Sequence, residues 1–263
     1  MKRFAQLYEA LDLTTSTNAK VDALADYFET APAADAAWVV FFLSGKRFKR
    51  PVSTTLLRQW TYEITDTPEW LFEMSYSHVG DLAETISLFL DAAFPQVDDE
   101  ELPLHQWVDE RLLKLRDLEE DEQRARITGW WKRLPRGQVM LLNKLFTGGM
   151  RVGVSKKLVV RALSKVAGLP RPVISHRMMG KWEPSAEFFE NLLAEETADA
   201  DRSRPYPHFL ASPLEKEPDE LGHADDWMVE WKWDGIRSQL IKRAGEVFLW
   251  SRGQELITKR FPE

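Results

Sequence analysis

Apolar residues recur every three or four positions through the first two hundred residues, and this period constrains the fold more than any other feature. Val21, Leu24, Ala25 and Phe28, for example, fall on one face of an α-helix. The same period is found at residues 7–11, 107–118, 158–163 and 188–193. We therefore predict a mainly α fold, with an all-helical domain over residues 1–205.

The helical period stops near residue 205, where the composition changes. Four prolines lie within the fourteen residues from Pro205 to Pro218, and such clusters interrupt regular secondary structure. Three later segments are typical of strands: residues 227–233, 236–242 and 247–250, with Ala244-Gly245 as a turn between the last two. We predict a second domain over residues 206–263. Because its 58 residues are few for an independent mixed domain, we expect a truncated one.

Composition excludes several classes of protein. No stretch approaches the roughly 18 consecutive apolar residues of a membrane-spanning helix, and the first residues lack the apolar segment of a secretory signal. The chain has no cysteine, which excludes disulfides and thiolate zinc sites and fits a reducing cytoplasm. We expect a cytoplasmic protein with no membrane partner.

The net charge of −7 hides a strong segregation of charge along the chain. Between Arg124 and Lys181 there are 14 lysines and arginines and no aspartate or glutamate. The other 205 residues carry 21 basic and 42 acidic side chains, a balance of −21. Such segregation indicates a basic face directed at a polyanion. The alternative is a chance cluster on a solvated helical domain.

Two short segments resemble one another. Residues 43–53 are similar to residues 146–155 with one residue inserted, and each copy precedes an apolar helical segment. Two copies of a helix, a basic turn and a helix predict a helical domain with pseudo-twofold symmetry, which would match the local twofold symmetry of a duplex backbone. The alternative is coincidence between short loops rich in serine, glycine and basic residues.

The two turns supply the candidate DNA-binding residues. Lys46 and Arg47 belong to the first turn, and Arg151 and Lys156 belong to the second turn and the start of the helix after it. Gly153 would let the second turn approach the minor groove closely. Contacts to phosphate position a protein without reading base sequence, so we expect this domain to bind duplex DNA of any sequence.

Residues 230–237 read Glu-Trp-Lys-Trp-Asp-Gly-Ile-Arg and carry the strongest chemical signal. Burial of a lysine between two tryptophans is costly unless the ammonium is paired or loses its proton. A desolvated lysine, with its pKa lowered from about 10.4, becomes a usable nucleophile, and this role is predicted for Lys232. Arg237 offers a fork of donors to a phosphate or a ribose. The alternative is a solvent-facing lysine on an edge strand beside an Asp-Gly turn.

Two further features accompany this lysine: the segment 249–263, with its Ser-Arg pair, and the basic helical domain before it. Together they resemble the ATP-dependent DNA ligases of the covalent nucleotidyltransferase superfamily, in particular the bacterial three-domain type. The lysine segment is similar to the Lys-x-Asp-Gly-type signature of that family, here with Arg237 three residues after Asp234. Residues 145–155 resemble part of the helical DNA-binding domain of the same ligases, and the resemblance covers essentially the whole chain.

The resemblance implies a role for each site residue. Lys232 would attack the α-phosphate of ATP and hold AMP as a phosphoramide, and Glu230 would contact the adenine edge. Arg237 would meet the ribose and phosphate side, and Arg252 the phosphate of AMP and later the 5′-phosphate of a nicked strand. Magnesium would neutralise phosphate charge in each step. The C-terminal part would form the first strands of an α+β, ATP-grasp-like nucleotidyltransferase domain.

The resemblance also sets expectations for the rest of the protein. Metal ligands would lie beyond residue 263, so no metal site is expected within this chain, and residues 1–263 alone are expected to take up little or no AMP. We expect a bacterial, nucleoid-associated monomer whose partner is nicked duplex DNA. Two alternatives stay open: another lysine nucleotidyltransferase, such as an RNA ligase or an mRNA capping enzyme, and a non-catalytic helical DNA-binding protein.

Overall fold

A computed structural model describes residues 1–95, 102–195, 205–206, 213–252 and 256–261. The chain forms two compact units. The first comprises Met1–Leu169 with Glu183–Ala194, and the second comprises Pro170–Trp182 with Glu195–Glu263. The domain boundary that the sequence predicts near residue 205 adjoins residues 196–204 and 207–212, which lie outside the described residues, and the boundary stays a prediction.

Helices make up most of the described chain, which confirms the predicted mainly α fold. They are α1 (Lys2–Asp12), α2 (Thr17–Thr30), α3 (Ala33–Leu43), α4 (Thr54–Thr65), α5 (Glu69–Val79), α6 (Leu82–Ala93), α7 (Leu104–Gln106), α8 (Glu120–Arg133), α9 (Arg136–Thr147), α10 (Lys156–Ala167), α11 (Arg171–Arg177) and α12 (Ala186–Leu193). The first unit holds all of them except α11. Among the described residues, every helix is too short or too polar to cross a membrane.

Local sequence explains where these helices begin and what they bury. The side chain of Ser16 accepts a hydrogen bond from the backbone N–H of Ala19 and so satisfies one free donor of the first turn of α2. The core of the first unit contains large side chains that are almost fully buried, including Leu24, Trp60 and Phe146. Burial of this apolar surface is the main stabilising contribution to such a helical domain.

The segment 104–117 departs from the single regular helix that its apolar period predicts. After α7 the chain forms a π-helical turn over Trp107–Leu112 and then a 3₁₀ turn over Leu113–Asp117. Trp107, Leu112 and Leu115 are all fully buried. Their spacings of five and three residues match a π turn and a 3₁₀ turn respectively, so the irregular winding keeps all three side chains in the core.

Both copies of the predicted repeat fold as a helix, a turn and a helix. The first basic turn, residues 44–53, joins α3 to α4, and the second basic turn, residues 148–155, joins α9 to α10. Ser53 and Ser155 occupy the same place in the two copies, as the N-cap residue of the following helix. The structure therefore confirms the local helix–turn–helix arrangement of each copy.

The second unit contains a β-hairpin near its end. Strands β1 (Ser238–Arg243) and β2 (Glu246–Ser251) pair antiparallel. The turn residues Ala244 and Gly245 have φ angles of 50° and 83°, as a two-residue hairpin turn that follows the twist of its strands requires. These strands confirm that a β-containing domain begins here.

The strand predicted over residues 227–233 is wrong for the described part of the chain. These residues form no ladder with either strand of the hairpin, and the side chains of Met228 and Val229 are 89% and 94% exposed. An alternating apolar sequence becomes a strand only when a neighbouring strand pairs with its backbone N–H and C=O groups. Among the described residues no such neighbour lies beside this segment.

Candidate nucleic-acid interface and nucleotidyltransferase motif

The two basic turns line a single cavity in the first unit, with a volume of about 530 Å³. Six of its lining residues are cations: Lys46, Arg47, Lys49, Arg50, Lys144 and Arg151. Among the described residues, no carboxylate lines it. Cations gathered in a concave site repel one another and raise the local concentration of anions, so this cavity is suited to a phosphate backbone.

Direct contacts hold the first basic turn against the second. The guanidinium of Arg50 donates a hydrogen bond to the backbone carbonyl of Thr147, at 3.0 Å, where α9 ends. Gly148 follows with a φ of 73°, and a Cβ at this position would lie 3.6 Å from Cδ of Arg47. The positive φ favours glycine here, while a Cβ would meet the arginine only at an ordinary van der Waals distance. The cavity is therefore built from both copies of the repeat.

Two buried lysines lie at the second basic turn. Lys144, whose side chain is 5% exposed, places its Nζ 2.6 Å from Oδ2 of Asp81. Asp81 is also the N-cap residue of α6 and accepts a hydrogen bond from the backbone N–H of Glu84. The other buried lysine, Lys20, donates to the backbone carbonyl of Val152. The carboxylate of Asp81 therefore serves as a helix cap and as the partner of a buried cation.

Lys46 from the first copy of the repeat and Lys156 from the second lie close enough for their charges to interact. Burial of the Lys46 ammonium and, next in size, the charge of Lys156 lower the pKa of Lys46 to about 8, while the carboxylate of Glu183 acts in the opposite direction. Burial also lowers the pKa of Lys156. In the free protein the charged forms of Lys46 and Lys156 are therefore destabilised, and a phosphate bound beside them would reduce this destabilisation.

The hairpin of the second unit brings Arg237 and Arg252 side by side. The backbone N–H of Arg252 donates to the carbonyl of Arg237 at 2.8 Å, one step beyond the paired residues Ser238 and Ser251. Both arginines are exposed. Thr258 lies in the same segment 249–263 as Arg252, and its hydroxyl oxygen accepts a hydrogen bond from the backbone N–H of Leu249. A hairpin that pairs two arginines through their backbones can present both to one nucleotide phosphate.

Lys232 and Glu230 lie in the exposed segment before the hairpin. The side chains of Trp231 and Trp233, on either side of Lys232, are 84% and 83% exposed. The described residues therefore do not show the desolvated lysine on which the nucleophile prediction depends, and the roles of Lys232 and Glu230 stay predictions. Residues 253–255 of the segment 249–263 lie outside the described residues.

Comparison with known families decides the identity of the first unit. Residues 1–164 match the model of the family described as DNA ligase N terminus, and this match covers more than half of the 263 residues. The chain belongs to this DNA ligase N-terminal family. The predicted resemblance to the N-terminal region of a DNA ligase is thereby confirmed.

Individual relatives extend the similarity along the chain. A probable DNA ligase of Koribacter versatilis is 26% identical over 273 residues, which cover 100% of this chain and 46% of the relative. A probable DNA ligase of Dictyoglomus thermophilum is 24% identical over 287 residues, which cover 98% of this chain and 46% of the relative. A DNA ligase of Aeropyrum pernix is 33% identical over 129 residues, 44% of this chain and 21% of the relative. The chain spans about half the length of the first two relatives.

The structure brings together most of the DNA-contacting residues predicted for this ligase N-terminal region. Lys46, Arg47 and Arg151 line the shared cavity. Lys156 lies close enough to Lys46 to lower its pKa. Gly153 is in the same turn as Arg151 and has a φ of 63°, so its backbone conformation alone favours glycine. Contact of these residues with DNA stays a prediction.

Sequence reasoning missed four cations at the second turn and the cavity. Lys49 and Arg50 continue the basic run of the first turn, and Lys144 lies inside the stretch without acidic residues, so composition pointed to all three. Lys20 gave no signal, because it lies 132 residues from its partner Val152 and within an ordinary helical period.

The described residues do not fit the magnesium site that ligase chemistry implies. Among them, no group of three or more His, Cys, Asp or Glu side chains could hold a metal ion. A magnesium ion prefers several oxygen ligands in octahedral geometry, so we derive no step through a metal bound to these residues.

DNA binding by this ligase N-terminal region is expected to weaken as the pH rises through the pKa of Lys46. A phosphate beside Lys46 favours the ammonium form and raises that pKa, so binding takes up a proton above the free-state value of about 8. We expect the Kd for duplex DNA to rise about tenfold between about pH 7 and about pH 9 if the bound pKa returns to its usual range. Fluorescence anisotropy with a labelled duplex measures this dependence.

Arginine at position 46 is the matched test, because a guanidinium stays protonated throughout this range. Lys46→Arg should flatten most of the pH dependence and leave only the contribution of Lys156. The control is Lys49→Arg, the same change at an exposed lysine of the same turn, which should keep the wild-type profile. A steep profile that persists in Lys46→Arg would assign the titration to another group.

Proposed function

We propose that this chain is the DNA-binding and nucleophile-bearing part of an ATP-dependent DNA ligase that seals nicks in duplex DNA. The observation that carries the proposal is the cavity that both basic turns line with six cations, in a chain whose residues 1–164 match the DNA ligase N terminus family. Relatives named as DNA ligases, aligned along nearly the whole chain, support it.

The proposed DNA contact is to the backbone of the duplex. Arg47, Lys49, Arg50 and Arg151 are exposed lining residues of the cavity, where their charges are available to phosphates. Contacts of this kind give affinity and orientation without reading base sequence. This property suits an enzyme that must accept a nick in any sequence context.

The proposed chemistry has three phosphoryl transfers. Nζ of Lys232, as the neutral amine, attacks the α-phosphorus of ATP, and the bond to the β-phosphate oxygen breaks to release pyrophosphate. The 5′-phosphate of the nicked strand then attacks the same phosphorus and takes AMP from the lysine. In the third step the neighbouring 3′-hydroxyl attacks the 5′-phosphate, loses its proton and releases AMP as the strand is joined.

Three other residues are assigned by the resemblance. Glu230 contacts the adenine edge, Arg237 the ribose and phosphate side, and Arg252 the phosphate of AMP and then the 5′-phosphate. The hairpin, which places Arg237 beside Arg252, supports a shared role at one phosphate. Magnesium supplies charge neutralisation when it is bound. Positioning and charge stabilisation provide most of the acceleration in phosphoryl transfer.

Salt dependence tests the proposed DNA interface. We expect the 263-residue chain to bind nicked duplexes of unrelated sequence with similar Kd values, which rise steeply with salt because phosphate neutralisation releases counterions. Arg151→Ala should weaken binding on the order of tenfold, as the loss of one charged hydrogen bond does, and should reduce the salt slope by about one. Titrations at several salt concentrations give both numbers.

The control for this experiment is Lys165→Ala. Lys165 is exposed, pairs with Asp22 at 2.8 Å and does not line the cavity, so its loss should leave the salt slope unchanged. Binding that ignores salt, or that strongly prefers one sequence, would contradict the proposed interface. A preference for RNA over nicked DNA would favour an RNA-directed nucleotidyltransferase instead.

A further inference from the structure

Lys20 lies at the second basic turn although it is far from that turn in sequence. Its side chain belongs to α2, and the residue is only 7% exposed. Its ammonium donates a hydrogen bond to the backbone carbonyl of Val152, in the middle of the turn. Within the described part of the chain, no carboxylate pairs with it. A cation is therefore buried here against a neutral backbone group.

Gly153, the next residue of the turn, leaves the space that this ammonium occupies. Its φ is 63°, and a Cβ at this position would lie 2.7 Å from Nζ of Lys20. Carbon and nitrogen atoms that are not bonded do not approach so closely without displacement. The glycine therefore meets two demands, a left-handed backbone and the space that the lysine occupies.

Helix α2, which carries Lys20, is fixed to α10, which begins where the turn ends. The guanidinium of Arg161 on α10 donates to Oδ1 of Asn18 at 2.7 Å. One helical turn further, Lys165 pairs with Asp22 at 2.8 Å. These contacts flank Lys20 on both sides along α2, and the packing of α2 against α10 keeps its ammonium beside Val152.

The cost of burying the Lys20 ammonium indicates that this side chain has a role. Burial of an ammonium without a carboxylate is costly, and a methionine, whose side chain ends one atom earlier, would fill most of this space without desolvating a charge. What a methionine lacks is the hydrogen bond to Val152, which fixes the turn one residue after Arg151. The interaction that offsets the cost is thus the one that shapes the turn.

We infer that Lys20 is a positioning residue for DNA binding: it holds the second basic turn in the conformation that presents Arg151 to the cavity, and it does not itself contact phosphate. The inference rests on the proposed function for its DNA readout. Its structural part, the coupling between Lys20 and Gly153, stands without DNA and is measured separately.

The first test compares Lys20→Met with Arg151→Ala in binding to a nicked duplex at several salt concentrations. Lys20→Met should raise the Kd on the order of tenfold, the effect of losing one charged hydrogen bond, and keep the wild-type salt slope, since no phosphate contact is removed. Arg151→Ala should lose about one unit of slope. Lys2→Met, the same change at an exposed lysine of α1 that does not line the cavity, should behave as wild type.

Two outcomes of this test overturn the inference. A wild-type Kd for Lys20→Met shows that the turn needs no support from Lys20. A slope reduced by about one shows that Lys20 is a phosphate ligand and not a positioning residue. If Lys20→Met does not fold, Gly153→Ala displaces the same ammonium without removing it, and a wild-type Kd for that variant overturns the inference equally.

The second test is a double-mutant cycle in urea unfolding, which needs no DNA. Gly153→Ala should destabilise the wild-type chain more than it destabilises Lys20→Met, because only the former contains the clashing ammonium; the strain of the positive φ is common to both. Additive effects would exclude the coupling. If the wild-type chain fails to bind DNA while the cycle shows coupling, the proposed function fails and the support of the turn by Lys20 does not.

Discussion

We expect arginine in place of Lys232 to abolish the covalent AMP label proposed for a full-length ligase that contains this chain, when that protein is incubated with ATP and magnesium. The guanidinium stays protonated and has no lone pair for attack on phosphorus. The wild-type label, followed with ATP radioactive at the α-phosphate, should be stable to alkali and labile to acid, as a phosphoramide is. The variant should fall to the background level.

Two controls separate loss of the nucleophile from loss of the fold. Lys242→Arg makes the same change at an exposed lysine of β1 and should label normally. Lys232→Arg should still bind nicked DNA, because the helical unit supplies the cavity, and should seal a nick that already carries a 5′-adenylate. Normal labelling of Lys232→Arg would exclude Lys232 as the nucleophile.

Replacement of Asp81 by alanine is expected to cost the first unit about 3 kcal/mol in the free energy of unfolding, at the low end for a broken buried ion pair because Asp81 is itself partly exposed. The variant leaves Lys144 buried without its carboxylate and also removes the cap of α6. Urea unfolding measures the loss. Asp81→Asn should keep the cap and lose only the charge, so it divides the two contributions.

The matched control is Asp22→Ala, which removes the carboxylate partner of an exposed lysine on the same unit. The side chains of Asp22 and Lys165 are 60% and 57% exposed, and ion pairs of this kind add little to stability. This variant should unfold close to the wild-type urea midpoint. If Asp81→Ala and Asp22→Ala lower the free energy of unfolding equally, burial of Lys144 does not strengthen its ion pair with Asp81.

The sequence predicts well whatever depends on neighbours in the chain. The period of Val21, Leu24 and Phe28 identifies α2, because helix formation is local. The basic turns are found from composition and repetition. The sequence does not predict the irregular winding after α7. A π turn and an α-helix differ in which residues face the core, and this depends on the packing around the segment.

Contacts between distant segments lie beyond such reasoning. The residues next to Lys20 in the sequence do not predict its hydrogen bond to a carbonyl 132 residues away. The neighbours of Arg50 likewise do not predict its hydrogen bond to Thr147. The predicted strand at residues 227–233 fails for a related reason, because pairing requires a neighbour and not only a pattern.

The bond from Arg50 to Thr147 has a thermodynamic consequence for the ligase region. The cavity exists only where both copies of the repeat have folded and met, so neither copy alone presents the full set of six cations. A duplex that binds there binds the assembled state and not the separate halves, and by mass action it stabilises their union. A duplex bound in this way would link the two copies, and its affinity would depend on the folding of the whole helical unit.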